Sequence, residues 1–184
     1  MTGLSALIKR NIKLYFRDKG MFFSSLITPI ILLILFITFL GSIYRDSFAS
    51  ALSAAGINAD AALIDGCVGG QLISSLLAVT CITVAFCSNL IMIKDKTSGA
   101  RRDLTVTPLH LSTLGFSYYL ASLISTLIIN LTAAAVSLAY LAFVGWYLSA
   151  ADVLLLILDV FLLTMFGTAL SSCVNFFLSS DGQA

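Results

Sequence analysis

An all-α, polytopic transmembrane helix bundle of four spans is the fold class the sequence predicts, and three features predict it. The chain of 184 residues is 59% apolar and only 10% charged, with a mean hydropathy of +1.04. Soluble domains run roughly 45–50% apolar and about 25% charged, so a globule of this composition lacks the polar residues to cover its surface. The charge-free runs are as long as a bilayer core is thick, and the few basic residues gather on one side of them. The same numbers exclude disorder, which needs an apolar-poor chain. A formal net charge of +1 gives no signal for nucleic acid, and no nucleic-acid partner is expected.

A bilayer core of roughly 30 Å takes about 20 apolar helical residues. Residues 20–44 and 66–93 carry no charge, residues 104–151 carry none beyond His110, and residues 160–180 form a fourth run, extended backward over 153–158 across Asp159. The third run is too long for one span and holds Pro108 and His110 near its start, so the span begins near Leu114. The predicted spans are 21–41, 70–93, 114–144 and 152–178. The runs lack the alternation of barrel strands, which favours helices.

Nine of the ten basic residues (Lys9, Arg10, Lys13, Arg17, Lys19, Lys94, Lys96, Arg101 and Arg102) lie before the first span or between the second and third; Arg45 lies on the other side. The positive-inside rule makes the basic side cytoplasmic, which places both termini there. Tyr44, Tyr118, Tyr119, Tyr140, Trp146 and Tyr147 fall near span ends and read as an interfacial aromatic belt. The first apolar run exceeds a signal-peptide core and no A-x-A-type site closes it, so the first span is expected to stay in the mature protein.

Within residues 2–19, Leu4, Leu7, Ile8, Ile12, Tyr15 and Phe16 recur at helical steps, while Lys9, Lys13 and Arg17 form a separate basic row. This predicts an amphipathic helix lying in the headgroup layer, anchored by Lys9, Arg10, Lys13 and Arg17, with Gly20 allowing the turn into the membrane. Pro29 predicts a bend near residues 26–28. The external segment 42–66 is too short for a domain and predicts one or two short surface helices. Gly66 and Gly70 form a weak small-residue packing motif at the mouth of the second span.

The segment 94–113 is the most informative stretch. Six of the fifteen residues from Lys94 to Pro108 are charged. Gly99 permits a tight turn and Pro108 fixes the exit before the third span. A short charged helix between two spans suits the docking of a soluble partner; an ordinary solvated loop that only sets topology fits the composition equally.

The chain resembles the membrane subunit, or permease, of a type-2 ABC transporter, the exporter class of drug, antibiotic and polysaccharide systems. In that family a basic amphipathic helix leads into the first span, as residues 9–19 do here. After the second span the family pattern is an acidic residue, a basic residue, two variable positions, glycine, then charges and proline. Asp95, Lys96, Gly99, Arg101, Arg102 and Pro108 match it in order, with Asp95 standing where Glu is commoner. The resemblance covers the whole chain and implies that this segment is a coupling helix seated in a separate ATP-binding subunit. It implies that ATP is bound on that partner and no cofactor on this chain, and that a second permease copy completes the transport route in a cytoplasmic membrane of bacterial type. Family members usually have six spans, so a chain of four is expected to be truncated after the fourth.

Chemistry on this chain is not expected. No Gly-Lys pair is present, so the phosphate-cradling loop of an ATPase is missing, as are G-x-S-x-G and H-E-x-x-H. Cys67, Cys81, Cys87 and Cys173 lack C-x-x-C spacing and read as small buried hydrophobes, with no metal site. Asp159 is the one acid inside a predicted span, where a carboxylate costs roughly 2.5–3.5 kcal/mol at the bilayer centre. It reads either as a proton or cation site or as a polar contact between helices, and Asn89, Asn130 and Asn175 read as interhelical hydrogen-bonding residues. The functional expectation is the permease of an ATP-driven exporter of an amphiphilic, drug-like or lipid-linked substrate. The alternatives are a non-transporting structural or assembly membrane protein, and a secondary carrier using Asp159.

Overall fold

The structure, a computed structural model, describes residues 2–57, 60–105, 110–144, 146 and 148–177. All regular structure among them is helical: α1 Thr2–Arg17, α2 Lys19–Leu35, a π-helical segment Phe36–Leu40, α3 Gly41–Ala54, α4 Ala61–Thr97, α5 Ala100–Thr105, α6 Leu111–Val144 and α7 Ala150–Phe177. Among the described residues four helices are long and apolar enough to cross a membrane: Lys19–Ala54, Ala61–Thr97, Leu111–Phe143 and Ala150–Asn175. The apolar runs force this outcome, because in lipid each backbone N–H and C=O must be satisfied within its own helix.

The helices extend well past the expected spans. Segment 42–66 does not form separate surface helices. Instead α2, the π segment and α3 make one helix of 36 residues. At about 1.5 Å per residue it is far longer than a bilayer core. It ends where the backbone first favours an end. Gly56, at φ +74°, is followed by Ile57, whose N–H reaches the Leu52 carbonyl at 3.0 Å, while the Gly56 N–H reaches that of Ser53 at 3.0 Å. This doubly bonded C-cap closes the helix. An ion pair between Arg45 and Asp65 ties α3 to the start of α4.

The turn out of α1 also differs from expectation. Gly20 lies inside α2, and the break falls at Asp18, which is extended and accepts a bond from the Met21 N–H at 3.1 Å. A side-chain cap of this kind satisfies one of the orphan donors at a helix start. The chain continues helically through Pro29, and the departure from α geometry lies at the π segment, where Phe36 stacks on Tyr44.

α4 is the centre of the bundle. In its most apolar stretch 56% of residues are buried, against 11% for the Lys19–Ala54 helix. It packs against α2, α3, α6 and α7. Leu72, Ile73, Leu76 and Leu77 of α4 meet Phe36, Leu141 and Val160 in one apolar cluster. Val84 and Ile91 meet Leu7, Tyr15, Met21 and Leu114 in a second. The close α4–α7 crossing depends on Gly167. A Cβ there would stand 3.1 Å from the Cys81 carbonyl oxygen and 3.5 Å from the Ala85 Cβ. Gly70 of the Gly66–Gly70 motif has no such role, since the space beside it is open.

Polar side chains stitch the helices in their apolar stretches. Ser88 of α4 bonds Ser122 and, at 2.8 Å, Thr126, both on α6. The Asn89 amide donates to Ser171 Oγ at 2.9 Å and Ser172 Oγ at 3.1 Å on α7. Asn130 of α6 donates to Thr164 of α7 at 3.1 Å. In membranes such bonds hold helices together where apolar burial has no preference between helix and lipid. Cys81 is buried, but Cys67 and Cys173 are exposed, contrary to the reading of the cysteines as buried hydrophobes.

Candidate functional site

The candidate site is the basic end of the bundle, where α1, the end of α4, α5 and the start of α6 converge. α1 is amphipathic, but its buried row is Leu7, Asn11 and Tyr15, each four residues after the last. That row packs on the bundle, chiefly on α6, so α1 is more than a surface float. Lys9, Lys13 and Arg17 are exposed on its outer side. Arg10 is not on that side. Its guanidinium turns inward and grips Asp95, Nη1 to Oδ2 at 2.8 Å and Nη2 to Oδ1 at 3.3 Å, while Nη1 also donates to Asn11 Oδ1 at 2.9 Å. Arg10 and Asp95, expected from the sequence to serve as an anchor and as part of a coupling segment, are therefore one ion pair, 85 positions apart in the chain.

Tyr118, at the start of α6, completes the group by donating its hydroxyl to Asp95 Oδ2 at 2.6 Å. Tyr118 and Tyr15 are both buried, which removes Tyr118 from the expected aromatic belt. Tyr15 donates to Ser25 Oγ at 2.7 Å, and burial pushes its phenol up to about 12. The Asp95 hydrogen bond, partly opposed by burial, holds Arg10 above the usual guanidinium range. Beside this group is a cavity of about 10 Å³, the size of one water molecule, lined by Asn11, Tyr118, Ser122 and Ser125.

Three consecutive residues at the end of α4 reach three directions, because a helix turns about 100° per residue. Lys94 donates to Asp18 Oδ2 at 2.6 Å, at the α1–α2 joint. Asp95 takes Arg10 of α1 and Tyr118 of α6. Lys96 donates to the Asn175 backbone carbonyl near the end of α7 at 3.1 Å. The bond from Lys94, with the Met21 N–H beside it, holds the Asp18 carboxyl below the usual range.

This knot sits at the root of α5. Ser98 caps α4, its N–H on the Lys94 carbonyl at 2.9 Å, and Gly99 follows at φ +79°, a conformation L side chains rarely adopt. α5 then begins at Ala100 and carries Arg101, Arg102 and Asp103. The side chains of Arg101 and Arg102, and Pro108 altogether, lie outside the described residues. Of the motif Asp95, Lys96, Gly99, Arg101, Arg102 and Pro108, the structure thus gives the first two as bundle contacts and Gly99 as the turn into a short helix.

Asp159, nine residues into α7, is exposed and does not contact another helix through a hydrogen bond or ion pair among the described residues. It borders a groove between α4 and α7. Sequence reasoning missed Asn11 and the Arg10–Asp95–Tyr118 group. The signal for Asn11 was present: a lone amide in register between Leu7 and Tyr15 on an otherwise apolar row.

A family model described as ABC-2 type transporter matches residues 2–183, a span that takes in all seven α-helices. No curated protein and no solved structure matches the chain. Members of the matched family are membrane subunits that normally pair with an ATP-binding subunit. With four membrane-length helices and this match over nearly its whole length, the chain belongs to the ABC-2 type transporter family and is a multi-pass permease subunit of an ABC transporter.

Proposed function

We propose that the chain is the permease of an ATP-driven exporter in the cytoplasmic membrane, and that the α4–α5 junction is where a separate ATP-binding subunit docks. The observation that carries this reading is the fan of contacts from Lys94, Asp95 and Lys96. They join the root of α5 to α1, α2, α6 and α7 at once. A push on α5 would reach the whole bundle through α4 and not dissipate in a loose loop. Gly99 sets the direction of α5, Arg101 and Arg102 supply its charge, and Pro108 follows in the sequence before α6.

The concentration of basic residues at this end makes it cytoplasmic, with both termini on the same side. The exposed apolar faces of α2 (Phe23, Ile27, Ile30, Ile34) and α7 (Leu154, Leu158, Phe161, Leu162) meet lipid and a second permease copy. Substrates are amphiphilic, drug-like or lipid-linked. The test is a double charge reversal, Arg101→Glu with Arg102→Glu, in a complex co-purified from membranes. Insertion should be unchanged while recovery of the ATP-binding subunit and export both fall. Normal export and ATPase activity in that variant would refute the docking assignment.

A further inference from the structure

We propose that the groove around Asp159 binds lipophilic monocations. The groove lies between α4 and α7 at the end opposite α5 and has a volume of about 390 Å³. That is within the range of small-molecule sites, roughly 300–1,000 Å³, which are mostly apolar with a few placed polar groups. Its walls are of that kind. Ile73, Leu77 and Leu155 supply apolar surface, and Ser74 and Asp159 are the polar members. Ser74 donates back to the Gln71 carbonyl at 3.2 Å, so the carboxylate of Asp159 is the charged feature a ligand meets. Among the described residues Asp159 makes no hydrogen bond and no ion pair. It stands about 13 Å along α7 from Ala150 by helical rise.

The surrounding charge favours a cation as well. Asp46, Asp60, Asp65, Asp152 and Asp159 lie at this end, and the one basic residue with them, Arg45, is paired with Asp65. A mouth with excess negative charge raises the local concentration of cations. Apolar walls select those that are themselves apolar, and a single carboxylate matches a single positive charge. Gly70 contributes room, because the space where its side chain would stand is open. This inference names a substrate class for the proposed exporter and rests on that reading for its role in transport, but not for the binding itself.

The test uses the purified full chain in phosphatidylcholine nanodiscs, with empty nanodiscs as the background. The probes are tetraphenylphosphonium and its anion of like shape, tetraphenylborate. Saturable phosphonium binding is expected, weakened about tenfold or more by Asp159→Asn, the size of one ion pair at a partly wet site. Asp159→Glu should retain it and Gly70→Leu, whose Cβ enters open space and whose side chain fills the groove, should abolish it. Tetraphenylborate should show no saturable binding. Wild-type phosphonium affinity in Asp159→Asn, or equal binding of the two probes, would overturn the proposal. Should Asp159→Asn fail to fold, unchanged binding in folded Gly70→Leu would overturn it alone. No ATP or ATP-binding subunit is present, so a failure of the docking assignment leaves this result intact, and the reverse holds too.

Discussion

The Arg10–Asp95 pair gives the most quantitative check on the basic end of the bundle. Its two partners differ in their access to water: the side chain of Arg10 is 33% exposed and that of Asp95 10%. Arg10→Met removes the cation and leaves a nearly buried carboxylate with the Tyr118 hydroxyl as its remaining partner among the described residues. Breaking a fully buried pair costs roughly 3–5 kcal/mol. Because this pair is partly wet, about 2–3 kcal/mol is expected. Asp95→Asn leaves a guanidinium that can turn to water and an amide oxygen that still accepts from Tyr118, at about 1 kcal/mol, a usual net hydrogen-bond value. The double variant should cost little more than Asp95→Asn alone, which gives a coupling energy of roughly 2 kcal/mol. Thermal unfolding in nanodiscs measures all three. A coupling below about 0.5 kcal/mol, the value of an exposed pair, would refute the burial reasoning. So would a larger loss in Asp95→Asn than in Arg10→Met.

Three further outcomes are expected. Asp18→Asn keeps the helix cap but breaks the ion pair to Lys94. Since the folded carboxyl titrates below its ordinary value, the pair adds stability above that value and loses it as pH falls through the folded one. Melting curves of wild type and variant should thus differ at neutral pH and converge in strong acid, and a constant gap would sink the idea. Tyr15→Phe should cost about 1 kcal/mol, a net buried hydrogen bond. It should also flatten the alkaline limb of wild type, whose stability falls as pH rises from the ordinary phenol value of 10.0 toward about 12. Gly167→Ala should loosen the α4–α7 crossing and Gly167→Leu should open it, read as faster labelling of Cys81, which is buried in the wild type. Unchanged labelling would contradict the crossing geometry.

The four spans and the arm were legible in the sequence because hydropathy and charge are local quantities. A run such as 66–93 has to be helical in lipid whatever it packs against. Helix ends were read less well for the same reason. The charges and small residues of segment 42–66 suggested short surface helices, but hydrophilicity does not break a helix, and the first break after Asp18 among the described residues comes at the glycine cap at Gly56. In the candidate site, the motif residues were read and their partners were not. Arg10 was read as an interfacial anchor beside Lys9, Lys13 and Arg17, because its inward turn depends on Asp95, which only tertiary folding brings near. Tyr118 looked interfacial by position along its span, while its depth depends on α1 lying across α6. Asp159 was placed on the correct helix, but whether it meets a helix or a groove is a matter of neighbours that no local pattern encodes.

The most direct test of the docking assignment is site-specific photocrosslinking in the assembled transporter. The four native cysteines are replaced, and a single cysteine carrying a benzophenone is placed at Ala100 on α5 or at Ala55 at the far end of α3. The expected result is a crosslink from Ala100 to the ATP-binding subunit, its yield changing with ATP, and none from Ala55. A crosslink from Ala55, or equal silence at both positions in a complex that hydrolyses ATP, would contradict the assignment of α5 as the docking helix.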